Sequence, residues 1–331
     1  MRVVTAEVLR ALSAGWNLEF NKGFGGTETH WRKIAMETKS TNSETVYPFL
    51  GQLPKIREWI GERRIRQLGV HGFTIKNRKF EDTITVRRED IEDDNLGVYL
   101  PMLQEFGRET AEHPDRLVFE LLEMGFTAPC YDGQNFFDTE HPTVSKIGGP
   151  GTVSNFQEGS GPAWFLFDTS RAIKPLIYQE RIPLKLTAVT EDGDPHVFMT
   201  DQYLWGVRGR SAAGFGMWEL AYASRAPLTP ENYEAARATM NKLRGDEGKL
   251  LGVRPTVMVV PVDLEGDARR LLKAALLESG KSNIWNESLE LVVTSHLDPD
   301  NLPYVAPIVA NFAPIDGGEA PTDPAPIDGE A

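Results

Sequence analysis

Residues 94–124, DNLGVYLPMLQEFGRETAEHPDRLVFELLEM, constrain the fold more than any other stretch of the chain. Leu96, Leu100, Leu103 and Phe106 recur at spacings of three and four, and Leu117, Leu121 and Leu122 continue the stripe. That is the period of one helical face, so a long helical region is expected here. Pro101 and Pro114 each remove a backbone donor, which predicts two helical pieces, nearly collinear, with a proline at a start or a break. The patterns on either side are strand-like, so the chain as a whole reads as α+β.

The segment before the helix is an arm followed by an extended excursion. Val4, Val8, Leu9 and Leu12 sit at helical spacing within residues 1–20, and NKGFGGTETH after them reads as flexible. From Trp31 to Glu89 the segments HWRKIAMETKS, VYPFLG and FTIKNRKFEDTITVRRED read as extended, with Ile84 and Val86 alternating with Thr83, Thr85 and Arg87. Between them lies PKIREWIGERRIRQLG, the charged tip of a long two-stranded excursion.

After the helix, GGPGTVSNFQEGSGP at 148–162 reads as a mobile loop, and strand-like segments with turns at EDGDP and at the glycines run to about 225. LTPENYEAARATMNKLRG predicts a helix capped at Thr229 and ending near Gly245. RPTVMVVPVDLEGDARRLLKAALLES predicts a buried strand followed by a helix, an α/β unit. The C-terminal APIDGGEA and APIDGEA, rich in Pro, Gly and acid, predict a disordered or draped tail.

At 331 residues with 40% hydrophobic and 25% charged side chains, the chain can bury a sizeable core. Its formal net charge of −13 argues against a general nucleic-acid binder, since phosphate affinity comes from Lys and Arg. No apolar run reaches the length of a membrane span and no secretory leader is evident, so the protein is expected in the cytoplasm where it is made, without membrane partners. Cys130 is the single cysteine, which excludes an intramolecular disulfide and a Cys-based zinc cluster.

Two features carry candidate chemistry. CYDGQNFFDTEHP at 130–142 sets Asp132, Asp138, Glu140 and His141 beside Cys130. Asp132, Asp138 and His141, with help from His196 in TEDGDPH, have the donor types for a divalent cation and a metal-dependent hydrolase. The preferred reading is a structured loop, in which Asp132 and Asp138 each lead a turn, Gly133 supplies positive φ, and Phe136 and Phe137 anchor the segment. TEDGDPH is likewise read as a hairpin tip, with no cofactor or metal needed, and GRSAAGFG at 209–216 lacks the ending of a phosphate loop. The second feature is the basic tip, where Lys55, Arg57, Arg63, Arg64 and Arg66 crowd around Trp59 and Ile60. Arg and Trp are enriched at binding hot spots, so Arg57, Trp59, Arg63, Arg64 and Arg66 are candidate intersubunit contacts on an acidic protein.

Taken in order, RKIAMETKS…YPFLGQLPKIREWIGERR, KNRKFEDTITVRREDIEDDNLGVY, HPDRLVFELLEMGF…CYDGQNFFDTEHP, WFLFDTSRAIKPLIYQERIP and GVRGRSAAGFGMWELAYAS resemble the Mu-like phage major head subunit family, the gpT proteins, over about residues 1–295. The resemblance implies a major capsid protein of the HK97-like phage capsid fold: N-terminal arm, extended loop, spine helix, peripheral β-rich domain and axial α/β domain. On that plan the arm is 1–27, the extended loop 28–90, the spine and peripheral part 91–225, the axial part 226–300 and the tail 301–331. It further implies no catalytic role for residues 130–142. The implied partners are copies of the chain in pentamers and hexamers, a scaffold or protease, a portal, decoration proteins, and DNA held by confinement. A non-viral, encapsulin-type shell is the alternative use of the same fold.

Overall fold

A computed structural model describes residues 3–47, 73–93, 96–144, 150–245, 250–276 and 280–298. Its organising element is one helix, Tyr99–Met124, unbroken over 26 residues. The expected division into two pieces is therefore corrected. Pro101 lies in the first turn, where its missing N–H has no intrahelical acceptor to lose. Pro114 lies inside the helix and is held there by its neighbours. Asp115 accepts the backbone N–H groups of His30 at 2.9 Å and Trp31 at 2.8 Å, and His113 Nε2 lies 3.1 Å from Ser211 Oγ. Burial of Leu117, Val118, Leu121 and Leu122 on the following turns adds several kcal/mol, enough to offset the roughly 3 kcal/mol that an interior proline costs.

The arm helix Ala6–Gly26 begins at Thr5, whose Oγ1 accepts from Val8 N, and buries Leu9, Trp16 and Phe20. It runs six residues beyond the flexible boundary expected at Asn21. The cause is a close crossing with the long helix. A Cβ on Gly107 would stand 2.0 Å from the Phe20 carbonyl oxygen, and one on Gly23 would stand 1.9 Å from that of Gln104. Glycines on both helices let the backbones touch, and that contact orders the end of the arm.

Two five-stranded sheets build the main core together with the C-terminal part of the long helix. In the first, Gln202–Phe215 is the axis: Arg78–Arg87 pairs antiparallel along one edge, and Leu186–Val189 and then Leu176–Ile182 pair along the other. Ala35–Lys39 adds in parallel to Leu176–Ile182. The second runs Glu290–Thr294, Val257–Pro261, Trp164–Phe167, Ala221–Ser224, Phe156–Gln157. Its three central strands, VMVVP, WFLF and AYAS, are buried at every position, as a sheet covered on both faces requires. Val257–Pro261 and Glu290–Thr294 are parallel and flank the helix Glu265–Leu272, which is the α/β unit read from the sequence. The helix Pro230–Asn241 is capped by Thr229 as expected and ends four residues before Gly245.

Two further expectations are corrected. Within 148–162, Pro150–Val153 pairs with His141–Val144, and Phe156–Gln157 joins the second sheet. Asn155, 1% exposed, ties this segment down by donating to the carbonyl of Phe136 and accepting from Asp138 N. The TEDGDPH tip does connect two antiparallel strands, yet it holds a short helix, Pro195–Thr200, capped by Asp194. GRSAAGFG lies largely within Gln202–Phe215, away from any phosphate-loop geometry. The strands Glu44–Tyr47 and Phe73–Lys76 pair antiparallel at the foot of the excursion. The segment 48–72 between them, with Arg57, Trp59, Arg63, Arg64 and Arg66, lies outside the described residues, as does the repeated tail.

Candidate functional site

The long helix ends at Met124, and the chain then folds into two consecutive turns that carry the candidate cluster. Cys130 N–H donates to the Gln134 carbonyl at 2.7 Å, closing a loop in which Gly133 takes φ +89°. Only glycine adopts that conformation without strain. Asp132 Oδ1 accepts from Gln134 N at 3.0 Å, and Asp138 Oδ1 accepts from Glu140 N at 3.0 Å, so each aspartate leads its own turn. Phe136 and Phe137, both nearly inaccessible, plug the loop into the main core.

Asp132 is the hub. Its Oδ2 lies 2.7 Å from His141 Nδ1, and its Oδ1 accepts from the Cys130 thiol at 3.1 Å. His141 is fully buried and stacks on Trp218, ring centroids 3.9 Å apart and 7° from parallel. Tyr131 donates its hydroxyl to Glu219 at 2.6 Å. Burial works against the Asp132 carboxylate, but the hydrogen bonds from His141, Cys130 and Gln134 outweigh it and hold the group below the usual range. Burial and the adjacent Asp132 charge push the Cys130 thiol well up. Burial also raises the Glu219 carboxyl, against the opposing hydrogen bond from Tyr131.

The chemistry this arrangement favours is structural. Cys130, Asp132 and His141 do offer three ligand atoms within 4.8 Å of one another. A metal bound there would have to displace both side-chain donors of Asp132 and deprotonate a thiol whose surroundings hold it neutral. The other two residues of the hydrolase reading are elsewhere: Asp138 is engaged in its own turn, and His196 is an exposed residue in the first turn of Pro195–Thr200. Sequence reasoning found Asp132, Gly133, Asp138, Phe136 and Phe137. It missed Trp218, Glu219 and Asn155, which complete the loop from 17 to 88 residues away in sequence and carry no local signal.

Comparison with known proteins places this geometry in context. A model of the family described as "Mu-like prophage major head subunit gpT" matches residues 9–297. The major capsid protein of Escherichia phage Mu is 44% identical over 304 residues, covering 89% of this chain and all of that protein. The Mu-like prophage FluMu major head subunit of Haemophilus influenzae is 40% identical over 308 residues, 90% of this chain and all of that protein. Among solved structures, a subunit from the procapsid of bacteriophage JBD30 superposes with a TM-score of 0.79 at 41% identity, over 88% of this chain and all of that one. A subunit from the JBD30 capsid gives 0.71 at 30% identity, over 90% and 100%.

Proposed function

The chain belongs to the Mu-like prophage major head subunit family, gpT, and is a major capsid protein of the HK97-like fold; from that premise we propose that its work is done at its surfaces against copies of itself. The match to capsid subunits along nearly the whole described chain carries this reading. Identical chains close into pentamers and hexamers through heterologous contacts, and these join into a shell. Each contact contributes only a few kcal/mol, because every subunit touches several neighbours. The divisions 1–27, 28–90, 91–225, 226–300 and 301–331 serve as arm, extended loop, spine with peripheral part, axial part and tail.

A scaffold or protease, a portal and decoration proteins are the further partners, and assembly takes place in the host cytoplasm. DNA is held by confinement. With a net charge of −13 the chain offers a packaged duplex little to adhere to, so no base readout is involved. The protein has no catalytic function, and the hydrogen bonds that Asp132 makes with the Cys130 thiol and His141 Nδ1 support a loop that shapes the end of the spine helix.

Arg57, Trp59, Arg63, Arg64 and Arg66 pack on an adjacent subunit, with the tryptophan filling a pocket and the arginines meeting carboxylates. Arg63→Glu combined with Arg64→Glu should leave folded subunits that sediment as small species, while the unaltered chain forms particles. Normal particles from the double variant would sink this assignment.

A further inference from the structure

The short helix Pro195–Thr200, at the far end of the strand Gln202–Phe215, leaves Phe198 80% and Met199 78% exposed. Val197 beside them is buried in the small cluster that includes Trp16, Val86, Tyr203 and Trp205, so the helix is pinned and the two side chains cannot turn inward. Asp194 caps one end of the helix, and Arg88 bridges Asp192 at 2.7 Å and Asp201 at 2.6 Å across it. Val98, just before the long helix and between Leu96 and Tyr99, which pack on this cluster, is also 64% exposed. Apolar side chains held outward on a braced element mark a binding surface more than they mark a loose loop.

Charge identifies the occupant. Residues 87–93 and 190–201, joined through Arg88, hold eight carboxylates against two guanidiniums, so the apolar pair sits in an acidic collar. The opposite sign appears further along the same sheet. Lys79 lies directly across from Arg210 in the register, Arg208 follows on the same face opposite Glu81, and Lys79, Arg208 and Arg210 form no ion pair among the described residues, so the strip carries three cations against one carboxylate. At Lys79 and Arg210 like charges stand opposite each other, which destabilises a strand pair unless a further anion reaches them.

We propose that this acidic apolar tip docks on a second copy of the chain, with Phe198 and Met199 buried at the contact and the collar meeting the cationic strip of Lys79, Arg208 and Arg210. The inference rests on the reading of the chain as a shell subunit and adds a contact separate from residues 54–66. Tip and strip are different surfaces, so the contact is heterologous and propagates from one subunit to the next, as ring closure requires.

Phe198→Ser combined with Met199→Ser is expected to keep the circular dichroism and melting temperature of the unaltered protein while particle yield falls at least tenfold. In particles carrying Met199→Cys and Arg208→Cys, a short bismaleimide should produce covalent dimers and longer ladders; Cys130 is buried and does not compete. Normal particles from the serine variant would overturn the proposal, as would particles in which the cysteine pair gives no dimer. Dimers from Met199→Cys alone would also overturn it, by showing tip against tip. Failure of the unaltered chain to form particles under any condition would remove the shell reading and this contact with it.

Discussion

His113 faces the first sheet from the middle of the long helix, its ring edge-on to Phe80 at 4.3 Å and Nε2 near Ser211 Oγ. Burial, aided by Arg116, pushes its pKa down to about 4. A histidine whose folded pKa lies below its unfolded value takes up a proton more readily when unfolded. Its neutral form therefore supports the fold fully above pH 6.5, and stability should drop by up to about 3 kcal/mol as pH falls toward 4. His296 is shifted in the same direction by burial, while burial raises Asp115 and gives the opposite slope at lower pH. Urea unfolding at pH 7.5 and 5.0 should show this loss, and His113→Gln should flatten it; an unchanged slope in that variant would assign the effect elsewhere. Cys130 gives a second residue-scale expectation. Its thiol, buried and raised, should resist iodoacetamide at pH 8 in the folded protein and react at once in denaturant. Rapid labelling of the folded chain would contradict the closed loop around Asp132.

Between elements, the crossing of the arm helix and the long helix reverses a familiar rule. Glycine to alanine inside a helix ordinarily stabilises by about 0.5–1 kcal/mol. Gly15→Ala, with open space around it, should do so. Gly107→Ala would drive a methyl into the Phe20 carbonyl and should destabilise by about 2–3 kcal/mol, read as a lowered melting temperature. Equal effects at the two sites would mean that the arm does not lie on the long helix. The same crossing explains what the sequence could and could not reveal. Periodicity located both helices and the α/β unit after Arg254, because those signals repeat within a few residues. The extension of the arm to Gly26, the survival of the helix through Pro114 and the strands within 148–162 all depend on partners far along the chain: Gln104 for Gly23, His30 and Trp31 for Asp115, and Phe136 for Asn155. The loop at 130–142 divided in the same way, its turns legible from Asp132, Gly133 and Asp138, its stacking on Trp218 not.

For the whole molecule, the long helix and the two five-stranded sheets share one main core. The main core joins both five-stranded sheets to the C-terminal part of the long helix, Leu117 to Leu122, and a smaller cluster around Trp16 and Trp205 secures the arm and the distal end. On the proposed reading, loss of one intersubunit contact should abolish particles while leaving the fold intact. The most direct test is negative-stain electron microscopy, paired with sedimentation, of the unaltered chain expressed alone and with a candidate scaffold. Closed shells or capsomer rings of uniform size are predicted. A stable, monodisperse monomer under every condition, scaffold included, would contradict the account.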